Sequence, residues 1–279
     1  MLSYAANHED VRLARVLTSA RGTYVDVGAN HPSEGSVTKH FYDRGWRGMN
    51  VEPSPAMFAR LEAERPEDIN VHGAAWDAEG RGTLHFFPRA PGLSTLDATI
   101  AAQHELGLTF ETHDVPLFTL AGLCETHLEG RGIDLMVVDV EGAEARVLAG
   151  ADFRRWRPRI VVVEATKPLS RTRSHDAWEP ILTGADYIPT AFDGCNRFYV
   201  AAEEAALAPA LAEPLCFVDR YVDAEAVRAI AAAATKLLAI PPEERSNALE
   251  AIASGDPEAT LHALLKLDAA TPWLRRGAG

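Results

Sequence analysis

The chain reads as a doubly wound α/β fold carrying a helical appendage at its C-terminal end, and three observations predict it. Short apolar runs at 23–27, 48–51, 133–138 and 160–163 alternate with segments of helical periodicity. The run Ile133-Asp-Leu-Met-Val-Val138 is apolar almost throughout, the mark of a strand covered on both faces of a parallel sheet. From Glu203 onward alanine dominates and strand signals stop, which places a boundary between a main domain at 1–202 and an extension at 203–279.

Taken in order, residues 8–20 set Val11, Leu13, Ala14, Val16 and Leu17 among charged neighbours, as a short amphipathic helix requires. Thr23-Tyr-Val-Asp-Val27 is a buried strand that breaks at Gly28, and 36–44 is a helix with Val37 and Phe41 one turn apart. Gly48-Met-Asn-Val51 is the next strand, stopping at Glu52-Pro53, and the helix after it presents Met57, Phe58 and Leu61 inward until Pro66. Strands at 69–75 and 83–87 follow, then an irregular stretch from Pro88 to about Pro116, a length usual for functional loops. A helix over 117–128 precedes the strand ending at Val138. Helix 143–150, the strand 160–163 ending at Glu164, a helix at 178–182 and strands near 185–190 and 196–201 complete the pattern. In the extension Val227, Ile230, Ala231, Ala234, Leu237 and Leu238 share a helical face. Pro242 opens a helix ending near Gly255, and Asp256-Pro257-Glu258 starts another.

Composition narrows the function. Of 279 residues, 47 % are hydrophobic and 24 % charged, as in ordinary globular proteins. The net charge of −13 argues against a phosphate-tracking surface and so against nucleic acid as partner. Cys124, Cys195 and Cys216 stand far apart with no metal or redox spacing, which suits free thiols in a reducing compartment. The first residues carry no signal-peptide pattern and no run of about 18 apolar residues occurs, so the expected setting is cytoplasmic with no membrane span.

Ligands of open α/β sheets bind outside the carboxyl ends of the strands, and four strands here end in acids. Asp26-Val-Gly28 puts a carboxylate inside the first strand end and a glycine where backbone must approach a neighbour closely; Asn30 follows at the mouth. Glu52 ends the second strand 26 positions later, where an acid can take both hydroxyls of an adenosine ribose. The segment has one glycine and lacks the G-x-G-x-x-G spacing that receives a pyrophosphate, which suits a cofactor bearing a carboxylate and a sulfonium. Asp139, Glu141 and Glu164 are expected to converge at the same rim. Cofactor contact, general-base action and ligation of a hard cation such as Mg²⁺ all fit them. Lys167 stands close enough in sequence to pair with them. Gly92-Leu-Ser-Thr95, with Ser94, suits a loop over the cofactor; Asn196, Arg197 and, among several loop histidines, His113 suit acceptor contacts.

These residues carry a resemblance. Over about 22–201 the chain resembles the FkbM family of S-adenosylmethionine-dependent methyltransferases, through Tyr24-Val-Asp-Val-Gly-Ala-Asn-His-Pro32, Ser36-Val-Thr38, Phe41-Tyr42, Gly45-Trp46-Arg-Gly48, Val51-Glu-Pro53, Gly92-Leu-Ser-Thr95, Ile133 to Gly142, and Arg157-Pro158 to Glu164. Asp139-Val-Glu-Gly142 followed by Val147-Leu148 is the most distinctive of them. The resemblance implies a mostly parallel seven-stranded, Rossmann-like class I methyltransferase sheet. It implies S-adenosylmethionine held by Asp26, Gly28, Ala29, Asn30, Ser36, Glu52, Pro53 and Asp139, with Ala75 and Trp76, or Asp77, beside adenine. It also implies O-methylation of a sugar, glycan or secondary metabolite. A nicotinamide-dependent oxidoreductase is disfavoured by the missing glycine spacing, and a non-catalytic scaffold is the other alternative. Residues 203–279 fall outside the resemblance, and their helices suit docking of another chain, such as a second copy, shaping of the acceptor pocket or protection of the sheet.

Overall fold

The computed structural model describes residues 1–104, 107–238, 246, 249 and 250. They divide into a unit at Met1–Tyr221 and a second beginning at Val222.

The first unit is built on a seven-stranded sheet of β1 (Tyr24–Val27), β2 (Met49–Glu52), β3 (Ile69–His72), β7 (Leu135–Val138), β8 (Ile160–Glu164), β9 (Tyr187–Phe192) and β10 (Asn196–Ala201). Their order across the sheet is β9-β10-β8-β7-β1-β2-β3. All neighbouring pairs from β8 to β3 are parallel, whereas β10 runs antiparallel to both β8 and β9. The sheet is therefore mixed, with one reversed strand. Its register aligns the site: Val27 pairs with Val51 and Val138, and Val138 with Val163, so the chain leaves β1, β2, β7 and β8 at one rim.

Both faces of the sheet are covered, as the apolar runs require. Along β7 and β8 the side chains alternate between two cores. Met136, Val138, Val161 and Val163 pack with α5 (Leu120–His127), α6 (Glu144–Ala149) and α7 (Glu179–Thr183), through Leu120, Leu123, Val147, Leu148 and Leu182. Leu135, Val137, Ile160 and Val162 pack with Leu13, Leu17, Phe41, Trp46 and Leu211. The last group is contributed mainly by α1 (Glu9–Ala14), α2 (Lys39–Asp43) and α8 (Ala208–Ala212).

Several elements differ from expectation for identifiable reasons. α1 ends at Ala14, and the Arg15 side chain that follows donates to the carbonyls of Ala210, Glu213 and Pro214 and to Asp219. Those bonds, and the fully buried Leu211, hold 203–221 in the first unit, so the compact unit runs to Tyr221 and not to 202. α2 begins at Lys39 instead of Ser36, because the Ser36 and Thr38 hydroxyls are engaged in a buried network that replaces capping. The expected strand over 69–75 breaks at Gly73, where an added Cβ would lie 2.6 Å from the Phe118 ring. The remainder, β4 (Ala74–Trp76), joins β5 (Gly80–Phe86) and β6 (Glu111–Thr119) in a separate three-stranded sheet. β6 takes up the last residues, from Glu111, of the stretch expected to be irregular, which also holds α4 (Ala98–His104). Its pattern was faint: Val115 is its fully buried member, joining Leu84 and Phe86, and Pro116 lies within it.

α3 (Pro55–Glu64) belongs to the first unit and α9 (Ala224–Leu238) to the second. α9 covers the first helix expected in the extension, with Asp223 accepting from the Ala226 N–H. Of the helix expected at 242–255, residues 246, 249 and 250 are described and are helical; the rest of it and the helix expected after 256 lie outside the described residues. No described helix is long and apolar enough to cross a membrane.

Candidate functional site

A cavity of about 250 Å³ opens at the rim where β1, β2 and β7 end. Its wall includes Asp26, Gly28, Ala29, Asn30, Ser36, Glu52, Pro53, Ala75, Trp76, Ser94, Asp139 and Glu141. Parallel pairing puts the strand ends together, and the residues that follow each strand form the wall.

Gly28 has φ +79°, and a Cβ there would lie 1.8 Å from the Asp139 carbonyl oxygen. The close approach that demands glycine is thus made by the chain leaving β7. Asn30 also adopts the left-handed region, at φ 47°. Its N–H donates to Glu52 Oε2 at 2.8 Å, and the Ser54 N–H donates to Glu52 Oε1 at 2.7 Å. Glu52 therefore fastens the loop after β1 and the start of α3 while its remaining lone pairs face the cavity. Burial pushes its carboxyl up to about 7 against these two bonds. Asn30 Oδ1 is buried and has no partner among the described residues.

Asp26, in the cavity wall, is also part of a buried network. Thr38 Oγ1 donates to Asp26 Oδ2 at 2.6 Å and itself accepts from Arg65 Nη1 at 2.7 Å. Arg65, fully buried, also donates to the Pro32 carbonyl at 3.0 Å and to Ser36 Oγ at 2.6 Å. Burial raises the Asp26 carboxyl, while the Thr38 bond and the Arg65 charge draw it back. One buried cation thereby shapes the loop over 32–38 and offsets the carboxylate inside β1. Sequence reasoning missed Arg65 and Thr38, because a buried arginine at a helix end looks like any surface arginine.

The second group of acids lies beyond. Asp139, Glu141 and Glu164 each present a carboxylate oxygen within 4.8 Å of the others. Asp139 lines the cavity and is exposed, whereas Glu141 is half-buried and Glu164 buried. Burial, then mutual repulsion, raises all three carboxyls; for Asp139 the repelling charge is Asp26. Glu141 Oε2 and Glu164 Oε2 are buried without partners among the described residues. Glu141 sits at φ 52° before Gly142 at φ 97°, a strained turn of the kind that clusters at functional sites. The turn is held from two sides. Thr95 Oγ1 donates to the Glu141 carbonyl at 3.0 Å, and Glu144 Oε1 accepts from the Gly142 N–H at 2.9 Å. Glu144, buried and raised to about 7 by desolvation, is a second residue missed in the sequence. An acid in the first turn of a helix after a glycine is the signal that would have found it.

The expected acceptor residues are dispersed. Ser94 does line the cavity, although its hydroxyl accepts from the Phe87 N–H at 3.2 Å. His113 lies on β6, 3.7 Å from Glu111 and outside the cavity wall. Asn196 Nδ2 donates to the buried Glu9 at 2.6 Å, and Arg197 bonds His175 at 2.6 Å and Glu179 at 2.8 Å. Both are occupied inside the protein. Lys167 is exposed, and no ion pair joins it to the acids. Asp77 is turned away to Arg146, at 2.6 Å.

Comparison with known proteins follows this geometry. A family profile described as the methyltransferase FkbM domain matches residues 26–189. Methyltransferase 1 of Beauveria bassiana (strain ARSEF 2860) is 30 % identical over 124 residues, covering 39 % of this chain and 50 % of that protein. The chain thus spans about half the length of the curated relative it matches. Among solved structures, methyltransferase FkbM from Methylobacillus flagellatus KT is similar at a TM-score of 0.40 and 15 % identity, over 65 % of this chain and 44 % of that one. A TehB-like SAM-dependent methyltransferase from Corynebacterium glutamicum ATCC 13032 is similar at 0.38 and 10 %, over 69 % and 87 %. Structural likeness that low carries no weight for the site, whereas the profile spans more than half of the chain and includes Asp26, Glu52, Asp139, Glu141 and Glu164. The chain belongs to the FkbM methyltransferase-domain family.

Proposed function

We propose that the cavity at the strand ends binds S-adenosylmethionine and that the chain methylates a hydroxyl of a sugar, glycan or secondary metabolite. The observation that carries the cofactor reading is the pairing of Asn30 Oδ1, a buried acceptor lacking a donor, with Glu52, an anchored acid in the same wall. An ammonium would satisfy the first and two ribose hydroxyls the second. Gly28, Ala29, Ser36, Pro53 and Asp139 line the rest of that wall, with Ala75 and Trp76 offering apolar surface suited to a base. Asp26 lines the same wall, fixed there by Thr38.

When bound, S-adenosylmethionine supplies an electrophilic methyl group on a sulfonium. The residues of the chain then have two tasks: to align an acceptor oxygen about 3–3.5 Å from its target, and to take its proton. Asp139, Glu141 and Glu164 are the groups proposed for the second task. A carboxylate whose proton affinity is raised by burial and like charge is a stronger base than a free one once ionised, and Asp139, raised to about 6, is the one of the three ionised near neutral pH. Their oxygen donor set also suits Mg²⁺, whose charge would offset the repulsion among them.

The test uses labelled S-adenosylmethionine on a panel of sugars and hydroxylated natural products, with D139N, E141Q and E164Q beside the unmodified chain. The reading expects cofactor affinity to survive in E164Q while turnover falls at least about 100-fold in one or more variants. Undiminished turnover in all three would eliminate the carboxylates as proton acceptors. Chelation before the assay distinguishes a metal-assisted site from a direct base: loss restored by Mg²⁺ supports the first, full activity the second.

A further inference from the structure

We propose that a second cavity, whose wall includes Glu164, receives the acceptor and selects one that carries a negatively charged group as well as the reacting hydroxyl. This inference rests on the reading of the first cavity as the methyl donor's.

The second cavity holds about 420 Å³ and is lined by Asn7, Glu164, Thr166, Leu169, Ser170, Arg171, Gly194 and Cys195. It meets the first across the acid cluster. Asp139 and Glu141 line the first cavity, Glu164 lines the second, and the three place oxygens within 4.8 Å of one another. The N-terminal segment passes along the same divide, with Ala6 in one wall and the adjacent Asn7 in the other. It is fixed there: Glu9, buried, accepts from the Asn7 N–H at 2.9 Å and from Asn196 Nδ2 at 2.6 Å. An in-line displacement needs the acceptor oxygen about 3–3.5 Å from the methyl carbon, and the shared acid cluster is the place where ligands of the two cavities come nearest. Glu164 is 94 % buried, with a relative exposure of 6 %, and its Oε2 has no partner among the described residues. A hydroxyl entering the second cavity supplies the missing donor.

Charge identifies the acceptor's other end. The whole chain has 27 basic and 40 acidic residues, yet between Ala165 and His175 it carries Lys167, Arg171 and Arg173 and no acid. All three are exposed. The Arg173 guanidinium lies 4.8 Å over the Phe192 ring. Arg171 lines the cavity, and no hydrogen bond or ion pair engages its guanidinium among the described residues. A planar fork of donors left unpaired at the edge of a cavity matches a phosphate or carboxylate. Leu169, 77 % exposed and also in the wall, offers an apolar contact for the body of the ligand. An anion seated wholly beside Glu164 would be repelled, so the ligand that fits has its charge at Arg171 and a neutral hydroxyl at Glu164.

The experiment titrates the full chain, saturated with S-adenosylhomocysteine, with glucose 1-phosphate, glucuronate and glucose by calorimetry, and repeats it with R171Q. Expected is binding of at least one anionic sugar about tenfold or more tighter than glucose, a preference abolished in R171Q. Stronger binding of glucose 1-phosphate assigns the site to phosphate, and of glucuronate to carboxylate. Equal binding of all three sugars, binding of none, or an anion preference that persists in R171Q overturns the proposal. S-adenosylhomocysteine binding is read first in the same cell. Its failure rejects the donor cavity, whereas its success without anion preference rejects only the acceptor assignment.

Discussion

The Asn30 N–H donates to Glu52 Oε2 at 2.8 Å, fastening the loop that follows the first strand to the acid that ends the second. One carboxylate thereby sets the shape of the donor cavity and is offered to the ligand as well. E52Q would turn an amide NH₂ towards either the Asn30 or the Ser54 N–H, a donor facing a donor. The expected result is a loss of S-adenosylhomocysteine affinity of about 10- to 100-fold by calorimetry, with the fold retained by circular dichroism.

Arg65 is the cation on which the loop over 32–38 hangs, and R65M leaves Asp26 buried beside an unsupported Thr38. Removing one partner from such a network costs about 3–5 kcal/mol, read as a fall in the urea midpoint. R65K should recover little, since an ammonium cannot reach Thr38, Ser36 and the Pro32 carbonyl with one planar fork.

Two glycines with similar backbone conformations should respond differently. Gly28 has φ +79° with the Asp139 carbonyl in the way of a Cβ, while Gly35 has φ +71° with nothing within 4 Å. G35A should cost about 1–2 kcal/mol for its left-handed backbone alone. G28A must also push β1 and β7 apart, and should yield unfolded or insoluble chain under conditions in which G35A is soluble.

The acids at the rim were legible in the sequence because parallel strands end on one side of a sheet, and Asp26, Glu52, Asp139 and Glu164 each stand at such an end. What those acids touch was not legible. Asp26 lines the cavity and is bonded to Thr38 as well; Asn196 and Arg197, expected on the acceptor, serve Glu9, His175 and Glu179. Side-chain partners across 27 to 187 residues of sequence, as for Thr38 with Arg65 and Glu9 with Asn196, leave no local pattern. The small sheet was hidden for another reason. Its edges are polar and β6 carries a proline, so period-two alternation never rose above its surroundings.

Stability should fall as pH rises. Burial pushes Glu9 up to about 8 and Glu52 up to about 7, both from an ordinary value of 4.5. Between the unfolded and folded values the native chain holds protons that the unfolded chain has released, so raising the pH through that window favours unfolding. The ligand-free protein should therefore melt several degrees lower at pH 8.5 than at pH 5.5. E9Q should flatten part of that slope, and a pH-independent melting temperature would refute the assignment.

The central claim is that the cavity between Gly28, Asn30 and Glu52 is the seat of the methyl donor, and a crystal structure of the chain grown with S-adenosylhomocysteine tests it most directly. Expected are the ribose hydroxyls on Glu52, the amino group of the homocysteine at Asn30 Oδ1 and the adenine against Ala75 and Trp76. Density for the ligand at any other place, or an empty cavity at saturating ligand, would contradict it.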